Sequence, residues 1–76
     1  MIEMNKRKTV DYDLRIYAAA AINTAVLAYR DIASIGITMP VPEIMRLSFP
    51  ITPDTDEIIG EFNNYLIQIE NRLGAQ

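Results

Sequence analysis

Apolar positions in this chain recur at two periods, and the longer runs are helical. From Asp11 onward, Leu14, Ala18, Ala21, Ala25, Ala28, Ile32 and Ile35 fall at alternating spacings of four and three, the repeat that keeps side chains on one stripe of an α-helix. Asp11 and Asp13 in a first turn and Gly36 just past the end fit the helix dipole and a left-handed C-terminal cap. The spacing predicts a helix over about 11–35, ~37 Å long at ~1.5 Å per residue. Most knobs of its seam are alanine, which lets a partner backbone approach closely.

A second face of the same stretch is apolar too, with Ile22, Val26, Tyr29 and Ala33, and Ile16 and Leu27 interrupt the side that ought to be polar. A helix apolar nearly all round is buried on several sides or lies in a membrane. Ile16 to Tyr29 contains Asn23 and Thr24 and falls short of the ~20 residues a span needs, so the expectation is burial against other helices and no membrane. Asn23, inside this run, either selects register in an oligomer or faces water at the edge of a bundle.

The C-terminal third repeats the helical pattern with larger knobs. Thr52 and Pro53 read as a cap and first-turn pair, Asp54, Asp56 and Glu57 complement the positive dipole end, and Leu73-Gly74 closes the segment. Ile59, Phe62, Leu66, Ile69 and Leu73 form its seam, predicting a helix over about 53–73. Large side chains opposite alanines interdigitate, so the two helices are expected to pair as an antiparallel hairpin, with Gly60 allowing close approach at the crossing.

The linker over 36–52 is too long to be structureless in a compact domain. Ile37, Met39, Val41, Met45, Leu47, Phe49 and Ile51 alternate with Thr38, Pro40, Pro42, Arg46, Ser48 and Pro50, which is strand-like. Three prolines remove ladder donors, however, and Glu43 to Ser48 suits a helical turn after Pro42. The expected linker is therefore a short helix between extended arms, with a strand pair as the alternative. Residues 1–10 show no sustained period and read as a flexible basic arm carrying Lys6, Arg7 and Lys8, ahead of a single helical domain over 11–76. The fold class expected is all-α, a two-helix hairpin that self-associates into a bundle.

Composition changes this picture mainly by exclusion. A chain of 76 residues buries only ~60 % of the surface its unfolded form exposes, so its core is marginal. With no Cys and no His, disulfides and the usual zinc sites are ruled out as staples, and self-association or a partner is left. Thiol and histidine catalysis are excluded by the same absences. Asp54, Asp56 and Glu57 lack a calcium loop's pattern, because Ile58 and Ile59 stand where an oxygen ligand and a glycine are required. No carboxylate pair drawn from Asp11, Asp13 or Glu43 is fixed at a working separation by the sequence. No catalytic residue, metal or cofactor is expected. A net charge of −3 argues against nucleic acid, and the absence of an apolar leader after the basic start makes the cytoplasm the expected compartment.

The functional expectation is a small non-enzymatic binding module, a homo-oligomer that occupies the surface of a partner protein. Inhibitors, antitoxin-like neutralisers and adaptors of the kind viruses and mobile elements encode have this character. Leu14, Ala18, Ala21, Ala25, Ala28, Ile32, Phe62, Leu66 and Ile69 are the expected oligomer interface, and Met39, Val41, Met45, Leu47 and Phe49 the expected partner surface. An alternative is an oligomeric sponge or sensor that holds a small anionic ligand such as a nucleotide between subunits, using Tyr12, Arg15, Tyr17, Tyr29 and Arg30. A second alternative is a structural subunit of a larger particle.

Overall fold

A computed structural model describes residues 6–74, with side chains as far as residue 72. Its elements run β1 (Arg7–Asp13), α1 (Ala19–Tyr29), β2 (Gly36–Val41), β3 (Ile44–Pro50) and α2 (Thr55–Gly74). The expected all-α hairpin is therefore wrong: the chain is a two-layer α/β fold, two helices on one face of a three-stranded antiparallel sheet. The strand order is β1-β3-β2, so α1 carries the chain from one edge to the other and β3 fills the centre.

Three corrections follow. Residues Arg7–Asp13 are neither arm nor helix but a strand, paired with β3 from Arg7↔Pro50 to Asp13↔Ile44; residues 1–5 of the expected arm lie outside the described residues. The acids read as first-turn residues serve the strand. Asp11 accepts two bonds from Arg46, at 2.7 and 3.1 Å. Asp13 ends the strand with a turn, its carboxylate taking the Arg15 N–H at 2.8 Å and its carbonyl taking those of Ile16 and Tyr17, both at 2.9 Å. The helix then starts only at Ala19 and stops at Tyr29, whose carbonyl closes a turn with the N–H groups of Ile32 and Ala33.

The linker is the second correction. It is a β-hairpin, β2 with β3, turned over Pro42 and Glu43, with no short helix. Its prolines fall where they do least harm to a ladder: Pro40 on an edge strand beside a register shift, Pro42 in the turn and Pro50 at a strand end. The third concerns Gly36. It begins β2 opposite Ser48, and a Cβ there would come within 2.6 Å of the Ser48 hydroxyl, so the residue permits strand approach rather than capping a helix. Arg7 fastens this corner. Its Nε donates to the Ser48 hydroxyl at 3.0 Å, and its terminal nitrogen donates to the carbonyls of Ser48, at 2.9 Å, and Ser34.

The core lies between the sheet and the helices. Alternation along β3 buries Met45, Leu47 and Phe49, with Tyr12 and Val10 beside them on β1. Ala21, Ile22 and Ala25 of α1 complete the cluster with Phe62, Leu66 and Ile69 of α2. Small residues thus meet large ones between the two helices, within one chain. The helices run antiparallel, with the Ala18 end of α1 beside Glu70 and Tyr29 beside Phe62. α1 lacks a cap of its own, since Ala18 offers no side chain to its first turn, and the Glu70 carboxylate takes the Ala18 N–H at 2.5 Å instead. α2 starts on a network of hydroxyls. Thr55 is buried, accepts from the Thr52 N–H at 2.5 Å and donates to the Pro50 carbonyl at 2.8 Å.

Gly60 does not mark a crossing. It sits exposed in α2, and an added Cβ would meet nothing within 4 Å. Gly60→Ala should therefore stabilise the protein by about 0.5–1 kcal/mol through helix propensity alone, read as a higher urea midpoint at unchanged slope. A lower midpoint would mean that the glycine has a backbone role.

Candidate functional site

The nine residues expected to form an oligomer interface divide between the inside and the outside of the chain. Ala21, Ala25, Phe62, Leu66 and Ile69 pack into the chain's own core and present no surface to a second copy. Leu14 is half-buried against that core, while Ala18, Ala28 and Ile32 are exposed. Leu73, which completes the seam in sequence, lies where no side chain is described.

The expected partner surface divides in the same way. Met45, Leu47 and Phe49 are buried on the central strand and are unavailable to a partner. Met39 and Val41 lie on the edge strand and are 48 % and 46 % exposed. The reason is topological. In a β1-β3-β2 sheet only the central strand has neighbours on both sides, and no residue of β2 is buried. Ile37 pairs with Leu47 and so shares the sheet face that carries the core, yet it remains 42 % exposed. The result is an uncharged edge, Gly36–Val41, with three large apolar side chains in solvent. Pro40 has no N–H to offer and blunts this edge against strand addition, so recognition there falls to side chains.

The five residues of the ligand-binding alternative are not gathered into one cleft: Tyr12 and Tyr17 are in contact, while Arg15 and Arg30 lie beyond opposite ends of α1. Tyr12 is buried, donates to the Asn63 side-chain carbonyl at 2.5 Å, and packs edge-on against Tyr17 at 5.6 Å and Phe62 at 6.2 Å. Tyr29 packs on Phe62 at 5.6 Å and on Tyr65 at 5.9 Å. Arg15 turns back on Asp13, with contacts of 3.0 and 2.9 Å, and Arg30 is exposed beyond the end of α1. The rings are packed within the fold rather than offered as stacking platforms.

Asn23 is exposed on α1. Lys8 of the expected arm reaches Asp56 in the first turn of α2 at 2.7 Å; both groups are exposed, so the pair adds little to stability.

Electrostatics follow these contacts. The hydrogen bonds from Arg15 hold the Asp13 carboxyl down at about 2, and those from Arg46 lower Asp11. Burial pushes the Tyr12 hydroxyl up to about 12, with a smaller contribution from Tyr17, and burial likewise raises Tyr29. None of these groups faces a cleft where a shifted proton would act on a substrate. Among the described residues no cluster of three acids could hold a metal ion, and no helix is long and apolar enough to cross a membrane. A concavity of about 330 Å³ lies between the end of α1, the end of β3 and the start of α2; Ile32, Phe49, Thr52, Asp54 and Ile58 are among its walls.

The chain matches no family model, and no curated protein and no solved structure resembles it beyond the level of chance.

Sequence reasoning missed that β2, and not the whole linker, would be the exposed apolar element. The signal was present in the charges: Gly36–Pro42 carries none, whereas Arg46 puts a charge on the outer face of β3.

Tyr12 supplies a test of the packing. Its folded-state hydroxyl holds its proton up to about 12 against an ordinary 10.0, so the folded chain binds that proton more tightly than the unfolded one. This contribution to stability is intact below pH 10 and is lost as pH rises toward 12. Tyr12→Phe should cost about 1 kcal/mol at pH 7, by leaving the part-buried Asn63 oxygen unpaired, and should flatten the alkaline decline. Denaturant titrations at pH 7 and pH 11 check both effects.

Proposed function

We propose that this chain is a small non-enzymatic binding module that self-associates and uses the β2 edge to occupy the surface of a partner protein. One observation carries the reading. An entire strand of a small, net-acidic chain holds no charge and leaves Ile37, Met39 and Val41 nearly half exposed. Side chains of this kind scattered singly over a surface need no explanation, but here Ile37 on the core face, Val41 opposite Ile44 on the outer face and Met39 at the register shift between them make the whole rim of a free edge apolar, a feature of the sort that marks protein contacts. Met39 sits in its middle, with a flexible thioether that repacks at low cost. The polar outer face of the sheet, with Thr9, Asp11, Thr38 and Arg46, supplies the wet surroundings of such a patch.

The test is comparative capture from the native host with the immobilised full chain. Met39→Lys and Val41→Lys should each lower recovery of a specific partner at least tenfold, corresponding to a loss of about 1.4 kcal/mol or more, with circular dichroism unchanged. Thr9→Lys, on the opposite edge strand, should leave recovery intact. Equal recovery by all three variants would remove β2 as the contact surface.

A further inference from the structure

We infer that the outward face of α1 is a two-fold interface, on which a second copy of this chain packs its own α1 antiparallel. The inference rests on the self-association proposed above and assigns it a surface. It begins from a contrast within the molecule. α2 turns Glu57, Glu61, Gln68 and Arg72 to solvent, as surface helices do. α1 turns out Ala19, Ala20, Asn23, Thr24, Leu27 and Ala28, and no residue from Ile16 to Tyr29 is charged. Leu27, at the centre of this face, is 60 % exposed.

Charge narrows the occupant. A strongly acidic or basic partner finds no counter-charge on this face, whereas a second copy meets no like charge across it, although each chain carries a net −3 elsewhere.

The order of side chains then selects the copy itself. With a two-fold axis between Asn23 and Thr24 and the helices antiparallel, Leu27 of one copy meets Ala20 of the other, Ala28 meets Ala19, and Asn23 meets Thr24. Each large side chain falls into the space over a small one, which lets the axes approach to ~8 Å. The face is thus complementary to itself, the condition for an isologous contact.

Hydrogen bonding agrees. The Thr24 hydroxyl donates to the Ala20 carbonyl of its own helix at 2.9 Å, so its proton is committed and its oxygen is left to accept. Asn23 carries two N–H donors and makes no side-chain hydrogen bond among the described residues. Across the axis each Asn23 donates to the other copy's Thr24, twice by symmetry. An eleven-residue helix is only ~16 Å long, which places the contact at the small end of stable interfaces, below ~1,200 Å². A reversible dimer in the micromolar range follows.

Sedimentation equilibrium of the full chain from ~1 μM to ~1 mM, spanning that affinity range, tests this. The mass should rise from 8.6 kDa to twice that value. Leu27→Asp should raise the dissociation constant by roughly a hundredfold without loss of helical circular dichroism. In a chain with no other cysteine, Asn23→Cys should close a disulfide-linked dimer under mild oxidation, because the two copies of position 23 flank the axis one residue out of register and, with helix axes ~8 Å apart and Cα atoms ~2.3 Å off each axis, their Cα atoms come within disulfide reach. Glu57→Cys should not. If Leu27→Asp loses helicity, the cysteine comparison decides alone. A dimer that survives Leu27→Asp and cross-links through Met39→Cys instead overturns the α1 assignment while leaving self-association in place. A monomer at every concentration overturns both.

Discussion

The fold is organised around the ring of Phe62. Phe49 from β3, Tyr29 from α1 and Tyr12 from β1 each set a ring against it at a steep angle, with centroids 5.6, 5.6 and 6.2 Å away. These are edge-to-face contacts, in which the positive rim of one ring meets the negative face of another. Four of the five elements therefore converge on one fully buried side chain. β2 contributes no ring and no buried residue; it is held by its ladder to β3 and, at its entry, by the Arg7 guanidinium. The strand least committed to the core is the one left with apolar groups in solvent. In so small a domain the two facts have one cause: there is enough core for four elements and not for five.

How much of this could be read from the sequence varied with the element. α2 was legible because every local cue agreed: a Thr-Pro start, early acids, and a three-and-four seam of large residues. The helix expected over 11–35 failed at both ends for a specific reason. Leu14 and Ile32 happen to continue the alanine spacing, and acids at Asp11 and Asp13 imitate a helix start. The competing signal was the alternation of Lys8, Val10 and Tyr12 with Thr9, Asp11 and Asp13, which becomes decisive only when β3 is there to receive it. In the linker the period of two was visible, and the prolines argued against it. They prove compatible because each stands at an edge, a turn or a strand end, positions that no single-sequence pattern reveals.

The candidate surfaces were half legible for the same reason. Periodicity identifies which residues share a face but not which face is covered, so Met39 and Met45 looked alike until the strand order placed one on the edge and the other in the centre. The alanine seam likewise met large side chains, but those of its own chain. What remains uncovered on α1 is the opposite side, where the sequence shows an unbroken neutral run.

The order of strands also bears on how the chain folds as it is made. β1 is synthesised early, but the strand it pairs with ends at Pro50, 43 residues after Arg7. At ~5–20 residues per second a ribosome takes about 2–9 s to make that stretch. Until that stretch is finished β1 lacks its full partner, and its charges at Arg7, Asp11 and Asp13, on what becomes the outer face, disfavour pairing with nascent neighbours on the same message. The polar outer face of the finished sheet is thus a safeguard for the unfinished one.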